Sequence, residues 1–161
     1  MTLLLRRLFL PVVLIATLLA GCSGMPKDLA GLVVQLDGIR SIRSQAGLTE
    51  MVVTVRCYNE TLRPIGVRGL QLELSLNGVE VGRAVSAKPL GTQSLSSNTQ
   101  DVTFVLENQR VVDRVVAAVR SGSLTYDLKS RVIVMAADNE MKSTSKASGT
   151  VDVSSISLSL N

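Results

Sequence analysis

Apolar and polar residues alternate along most of the chain, and this pattern predicts a series of half-buried β-strands. The clearest case is residues 70–76, where four leucines at every second position are separated by Gln71, Glu73 and Ser75. A period of two places such leucines on one face of a strand. Further strands are predicted at 32–39, 49–58, 79–83, 102–106, 124–137 and 151–160, the last with a bulge at Ser154-Ser155, where the alternation slips.

The segments between these strands contain turn and loop signals. Asn77-Gly78 separates two alternating runs, and a type I′ hairpin turn needs positive φ at both central positions, which Asn and Gly tolerate best. The pair therefore predicts a tight hairpin. Residues 88–98 and 138–149 are polar and lack an apolar period, so both are predicted to be loops.

The apolar period changes once, between residues 108 and 122, and predicts a helix there. Asn108 is suited to cap its start and Gly122 to end it. Valine is a modest helix former, so this helix should depend on packing against a sheet. Its apolar face is Val111, Val112, Val115, Val116 and Val119. About seven short strands with one helix predict a mainly β, antiparallel β-sandwich, since the spacing is too tight for crossover helices.

The N-terminus has the pattern of an export signal. Arg6 and Arg7 precede an apolar run at 8–19, followed by Ala20, Gly21 and Cys22; a basic segment, a short apolar segment and small residues are typical of a secretory signal. Leu19-Ala20-Gly21-Cys22 resembles the lipobox of bacterial lipoproteins, in which the cysteine is acylated and becomes the first mature residue. The alternatives are an ordinary secretory signal that contains a cysteine, and a twin-arginine signal at Arg6-Arg7.

The lipobox divides the chain into a signal peptide at 1–21, a lipidated tether at 22–28 and a domain at 29–161. Several acyl chains on Cys22 would anchor the protein stably. In the lipoproteins that this sequence resembles, an aspartate after the cysteine retains the protein at the inner membrane. Ser23 therefore predicts sorting to the periplasmic face of the outer membrane in a Gram-negative host.

Composition argues against enzymes and nucleic-acid binders. The chain has no histidine and no tryptophan, and without Arg6 and Arg7 it keeps 15 basic and 13 acidic residues, a net charge of +2. Histidine is the commonest general base and metal ligand, and a protein with few aromatics and no basic stripe lacks the features of a nucleic-acid binder. We expect no catalytic residue, metal or cofactor. The side chains considered and set aside are Asp113, Asp127 and Asp138, Ser94, Ser96 and Ser97, and the segment Asp138-Asn139-Glu140.

Cys57 is the other cysteine of the chain. It lies in the alternating run 53–58, so we expect a small buried apolar residue there. A redox or intermolecular role is the alternative.

The order of these pieces resembles the WHy (water stress and hypersensitive response) domain of the group 2 late embryogenesis abundant proteins. The resemblance covers 29–160 and rests on the strand that ends at Asn59, the link containing Pro64, the Asn77-Gly78 turn, the loop with Pro89-Leu90, and residues 122–128 around Tyr126. One element departs from the family pattern, because Asn59-Glu60-Thr61 replaces Asn-Pro-Asn. Asn59 can still bond the turn backbone, but the fixed φ of the proline is lost.

The resemblance implies an immunoglobulin- or fibronectin III-like sandwich without an active site, associated with tolerance of drying. We therefore expect a membrane-anchored, chaperone-like protein that limits the aggregation of partly unfolded clients. The alternative is an envelope assembly lipoprotein that binds one partner by strand addition, with 151–160 as a candidate edge strand. Carriage of a small apolar ligand between sheet and helix is a third possibility.

Overall fold

The structure, a computed structural model, describes residues 31–136, 139–153 and 156–159. The predicted signal peptide and tether, with Cys22 and Ser23, lie outside the described residues. The described chain forms nine strands and one helix: β1 (Leu32–Gln45), β2 (Leu48–Asn59), β3 (Ile65–Leu76), β4 (Val79–Ser86), β5 (Leu90–Thr92), β6 (Ser96–Leu106), α1 (Gln109–Arg120), β7 (Ser123–Ala136), β8 (Asn139–Asp152) and β9 (Ser157–Ser159).

The strands form two sheets. The first has the order β6-β2-β1-β9 and the second the order β4-β3-β7-β8, with β5 also paired to β3. The pairs are antiparallel except β1 with β9, which is parallel over three residues. This arrangement confirms the predicted mainly β sandwich with one short helix.

The core lies between the sheets, where the period of two brings the apolar residues of both together. The predicted leucines of β3 each expose 1% or less, and Phe104 of β6 is fully buried. Burying a leucine in this way contributes about 1.5–3 kcal/mol. The alternation in the sequence therefore identified the inward face of this strand correctly.

The helix also follows its predicted face and caps. The Asn108 side chain accepts a hydrogen bond from the Arg110 amide at 2.9 Å. The chain leaves the helix at Ser121, followed by Gly122 with φ of +88°. The buried residues are Val112, Val115, Val116 and Val119. The helix contacts β4, β6 and β7, so it packs on the sandwich as its valine content requires.

The prediction of a loop at 138–149 was wrong over the residues described. Residues 139–152 form β8, which pairs with β7 from Ala136↔Asn139 to Ser123↔Asp152. The inward positions of β8 include Ser143, Ser145 and Ala147, which are buried or half-buried. A strand whose inner face carries small and polar residues has no apolar period, so the pattern of leucines and valines could not identify it.

Two other boundaries differ from prediction. The predicted loop at 88–98 contains β5 and the start of β6. The predicted strand at 151–160 is divided, because Val151 and Asp152 end β8 in the second sheet, whereas β9 pairs with β1 in the first. The bulge predicted at Ser154-Ser155 lies outside the described residues.

Candidate functional site

Asn59 makes a hydrogen-bond cluster at the end of β2. Its side chain is 2% exposed, and Nδ2 donates to the carbonyl oxygens of Arg63 at 2.7 Å, Gln93 at 2.9 Å and Thr92 at 3.3 Å. Its Oδ1 accepts from the amide of Thr61 at 2.9 Å and from its hydroxyl at 2.7 Å. One side chain therefore joins the loop after β2 to the loop after β5.

Thr61 completes this cluster and compensates for the missing proline of the family pattern. Its hydroxyl donates toward the Arg63 carbonyl at 2.9 Å as well as contacting Asn59. The Leu95 amide donates to the Thr61 carbonyl at 3.0 Å. Hydrogen bonds fix the turn that a proline would otherwise restrict, and Pro64 follows it as an exposed residue before β3.

The Asn77-Gly78 turn has the predicted positive φ at both residues, +47° and +74°. Asn77 also contacts β7, which the sequence did not indicate. Its Oδ1 accepts from the Thr125 amide at 2.8 Å and the Thr125 hydroxyl at 3.0 Å, and its amide donates to the Thr125 carbonyl at 2.8 Å. The turn is therefore attached to the start of β7.

Tyr126 is a packing residue, as predicted. It is 6% exposed, and its ring lies over Gly149 of β8, where an added Cβ would approach Cε1 at 3.0 Å. Because Gly149 has no side chain, the tyrosine ring can occupy this space.

Cys57 is a buried apolar residue in the core, which agrees with the first interpretation of the sequence. It is 0% exposed, and burial raises the pKa of its thiol to about 11. Because the thiolate is the reactive form, this cysteine is protonated and inert at neutral pH.

The side chains considered for chemistry are not brought together. Within the described ranges, no group of three or more Cys, Asp or Glu residues is placed to hold a metal ion. Asp113 lies on α1 and Asp127 on β7, while Ser96 donates to the Gln93 carbonyl at 3.0 Å. Asp138 lies outside the described residues. Beside α1 there is an open groove of about 370 Å³ that includes Ser44, Asp113 and Arg120.

The outward faces of the two sheets differ in charge. On the first, Arg40 pairs with Asp101 at 2.8 Å and Arg56 with Asp37 at 2.7 Å. Asp101 also accepts a hydrogen bond from Thr54, and this bond together with Arg40 lowers the pKa of its carboxyl. Basic and acidic groups therefore balance on this face.

The second sheet presents a basic face. Glu73 lies between Arg83 at 2.9 Å and Lys129 at 3.9 Å. Lys129 on β7 pairs with Glu73 on one side and with Lys146 of β8 on the other. Arg131 lies two residues further along β7, on the same face of the sheet. An open groove of about 780 Å³ runs across these residues. The basic side chains thus outnumber Glu73 in the middle of the sheet.

No helix in the described part of the chain is both long and apolar enough to cross a membrane.

The fold and these turns define an antiparallel β-sandwich of two sheets. The family model described as late embryogenesis abundant protein, which covers the group that contains the WHy domain, matches residues 54–149. This is more than half of the chain, so the protein belongs to that family. The matched range contains Asn59, Pro64, Asn77, Gly78 and Tyr126. No curated protein sequence matches the chain significantly.

Solved structures share the fold at low sequence identity. A protein of Arabidopsis thaliana solved in solution has a TM-score of 0.53 at 14% identity, over 80% of this chain and 83% of its own. A protein of Archaeoglobus fulgidus has a TM-score of 0.42 at 16% identity, over 75% and 94%. A putative late embryogenesis abundant protein has a TM-score of 0.38 at 9% identity, over 77% and 72%. The likeness to the Arabidopsis protein concerns the fold alone.

Proposed function

We propose that this protein is a lipoprotein of the cell envelope whose domain limits the aggregation of partly unfolded proteins during drying. The family match over 54–149 is the observation that carries this proposal. The anchor rests on the sequence Leu19-Ala20-Gly21-Cys22, with Ser23 specifying the periplasmic face of the outer membrane.

The surface of the domain fits weak contact with many clients. Large apolar side chains are exposed at separate places, Val85 on β4 at 72% and Val105 on β6 at 41%. Scattered apolar residues of this kind offer contacts without forming one shaped pocket. The basic face around Arg131 adds attraction for acidic clients.

A drying assay tests the protective role. Residues 23–161 are mixed with an unrelated labile enzyme, dried and rehydrated, and enzyme activity and light scattering are compared with an equal mass of albumin. The proposal predicts more activity and less scattering than with albumin. Protection equal to that of albumin contradicts chaperoning by the soluble domain.

The anchor is tested separately on the full chain expressed in a Gram-negative host. Mass spectrometry should find a mature N-terminus at Cys22 that carries acyl chains, and the Cys22→Ser variant should leave the membrane fraction. A Ser23→Asp variant should move the protein from the outer to the inner membrane. Cleavage at another residue without acylation contradicts the anchor but not the protective role.

One structural feature favours the alternative, binding of one partner by strand addition. Strand β8 lies at the end of the second sheet and pairs with β7 over 14 residues. The Val34 amide on β1 donates to Ser145 Oγ at 3.3 Å, so β1 lies alongside part of this edge. Lysines at a sheet edge, such as Lys142 and Lys146, disfavour pairing with strands of other proteins. A specific partner would therefore need contacts that offset the charge of these lysines. A single saturable cross-linked partner at β8 would support this alternative.

A further inference from the structure

Two exposed leucines lie together at the end of the sandwich where β1 begins. Leu62 is 81% exposed and Leu95 is 67% exposed. Their loops are joined by a hydrogen bond, because the Leu95 amide donates to the carbonyl of Thr61, the residue before Leu62, at 3.0 Å. We call Leu62 and Leu95 the leucine pair, and the end that carries them the Gly31 end.

The leucine pair lies beside the point where the described chain begins. The Glu60 amide donates to the Gly31 carbonyl at 2.6 Å, and a Cβ on Gly31 would lie 2.9 Å from Thr61 Cγ2. Gly31, the first described residue, therefore lies against the loop that carries Leu62. The helix α1, between β6 and β7, lies at the opposite end of the sandwich, where Leu106 pairs with Thr49.

The two loops that hold the leucine pair are joined by the Asn59 side chain. Asn59 binds the carbonyls of Arg63 and Gln93, one from each loop. Leu95 has φ of +50°, a left-handed conformation that glycine or asparagine adopts with less strain than leucine. The Leu95 side chain is 67% exposed and lies outside the core, so it is available to contact a surface outside the domain.

We propose that the leucine pair inserts into the membrane interface and orients the domain with the Gly31 end toward the bilayer. The inference rests on the lipid anchor of the proposed function. Nine residues separate Cys22 from Gly31 when Cys22 is counted, and a fully extended chain of this length spans about 30 Å at most. An acylated Cys22 therefore keeps this end of the domain near the lipid surface.

The chemistry of the Gly31 end fits an interface between lipid and water. Leucine side chains favour the boundary of the acyl region, and Arg63, adjacent to Leu62, is exposed and able to contact lipid phosphates. The Tyr58 side chain, at the same end of β2, is 37% exposed. Glu60 is the exposed acid in this loop, and it would remain in the aqueous layer.

Single tryptophans test this orientation without background, because the chain has no tryptophan of its own. The lipidated full-length mature protein is reconstituted in phosphatidylethanolamine and phosphatidylglycerol vesicles, with or without brominated acyl chains. The Leu62→Trp and Leu95→Trp variants should show blue-shifted emission and several-fold stronger bromine quenching than the controls. Urea midpoints are measured first to verify that each variant is folded.

Two exposed positions serve as matched controls. Leu48, 47% exposed, lies at the opposite end after the β1–β2 turn, and Val85, 72% exposed, lies on the basic face of the second sheet. Strong quenching of Val85→Trp with little for Leu62→Trp would show that the basic face lies on the membrane and would overturn the proposal. Equal, weak quenching of all four variants would overturn it too.

A measurement on the unmodified sequence supports the variants. Amide hydrogen exchange at Leu62 should slow when the lipidated protein is on vesicles, compared with the Cys22→Ser protein in solution. If Cys22 proves unmodified, the anchor and this inference fail together. If the protein is acylated and floats with vesicles but neither quenching nor slowed exchange occurs, the anchor stands and only the orientation is refuted.

Discussion

The Asn59 cluster makes a sharp prediction about stability. Asn59→Ala removes four hydrogen bonds of 2.7–2.9 Å and a longer one at 3.3 Å. Each ordinary bond contributes about 1 kcal/mol net, and buried groups left without a partner cost more. Water can reach some of the exposed loop groups, which recovers part of this loss. We therefore expect the free energy of unfolding to fall by about 3 kcal/mol.

Urea unfolding followed by far-ultraviolet circular dichroism measures this loss. Asn98→Ala is a matched control, because Asn98 also donates to a backbone carbonyl, that of Gly91 at 3.0 Å, but is exposed. Its loss should be about 0.5 kcal/mol. Equal losses for the two variants, with unchanged dependence on urea, would refute the assignment of Asn59 as the residue that holds the two loops together.

The Asn59→Asp variant tests the hydrogen bonds alone, because it changes the donor to an acceptor and leaves the volume of the side chain nearly unchanged. An oxygen in place of Nδ2 would face the carbonyl oxygens of Arg63, Thr92 and Gln93, so the charged carboxylate would be destabilised. This raises the pKa of the new carboxyl above its unfolded value, and stability lost at neutral pH should return as pH falls and the carboxyl becomes protonated. A variant that is equally stable at every pH contradicts the hydrogen-bond assignment.

Three further predictions concern single residues. Cys57, with its pKa raised to about 11, should resist a thiol reagent at pH 8 in the native state and react at the rate of unfolding; rapid native labelling would contradict its burial. Gly78→Ala should cost about 1–2 kcal/mol in urea unfolding because φ is +74°, whereas Gly66→Ala, with open space at its Cβ, should not destabilise; equal losses would refute the turn assignment. The pKa of the Asp101 carboxyl is lowered in the folded protein from its ordinary value of 3.8. The charged carboxylate therefore stabilises the fold at pH values above this ordinary pKa, and the contribution is lost as the pH falls through the folded pKa. Asp101→Asn should therefore lose less stability on acidification than the natural protein, and an unchanged acid profile would contradict this.

The sequence predicted the inward face of an element correctly where the apolar residues of its period are also the buried ones. The leucines of β3 and the valines of α1 both face the core as predicted, because each apolar position is also a buried one. Strand β8 was missed because its inner face uses Ser143, Ser145 and Ala147. Pairing with β7 stabilises that strand, and such pairing leaves no period in the sequence of β8 itself.

The turn residues were only partly predictable. Asn77 and Gly78 were identified from local φ requirements, and Asn59 from its ability to bond a nearby backbone. Their contacts with Thr125, Thr92 and Gln93 join residues more than 30 positions apart, which local patterns cannot reveal. The leucine pair has the same origin, since only the packed loops bring Leu62 and Leu95 to one place.

Cross-linking in intact envelopes tests the central claim, that a folded domain at the membrane contacts many unfolding proteins as water is lost. A photoreactive residue replaces Val85, which is 72% exposed, and cross-links are collected before and after drying. The account predicts few adducts in hydrated envelopes and many unrelated ones after drying. A single partner, captured to saturation and equally in both states, would contradict it and favour the alternative of a dedicated assembly factor.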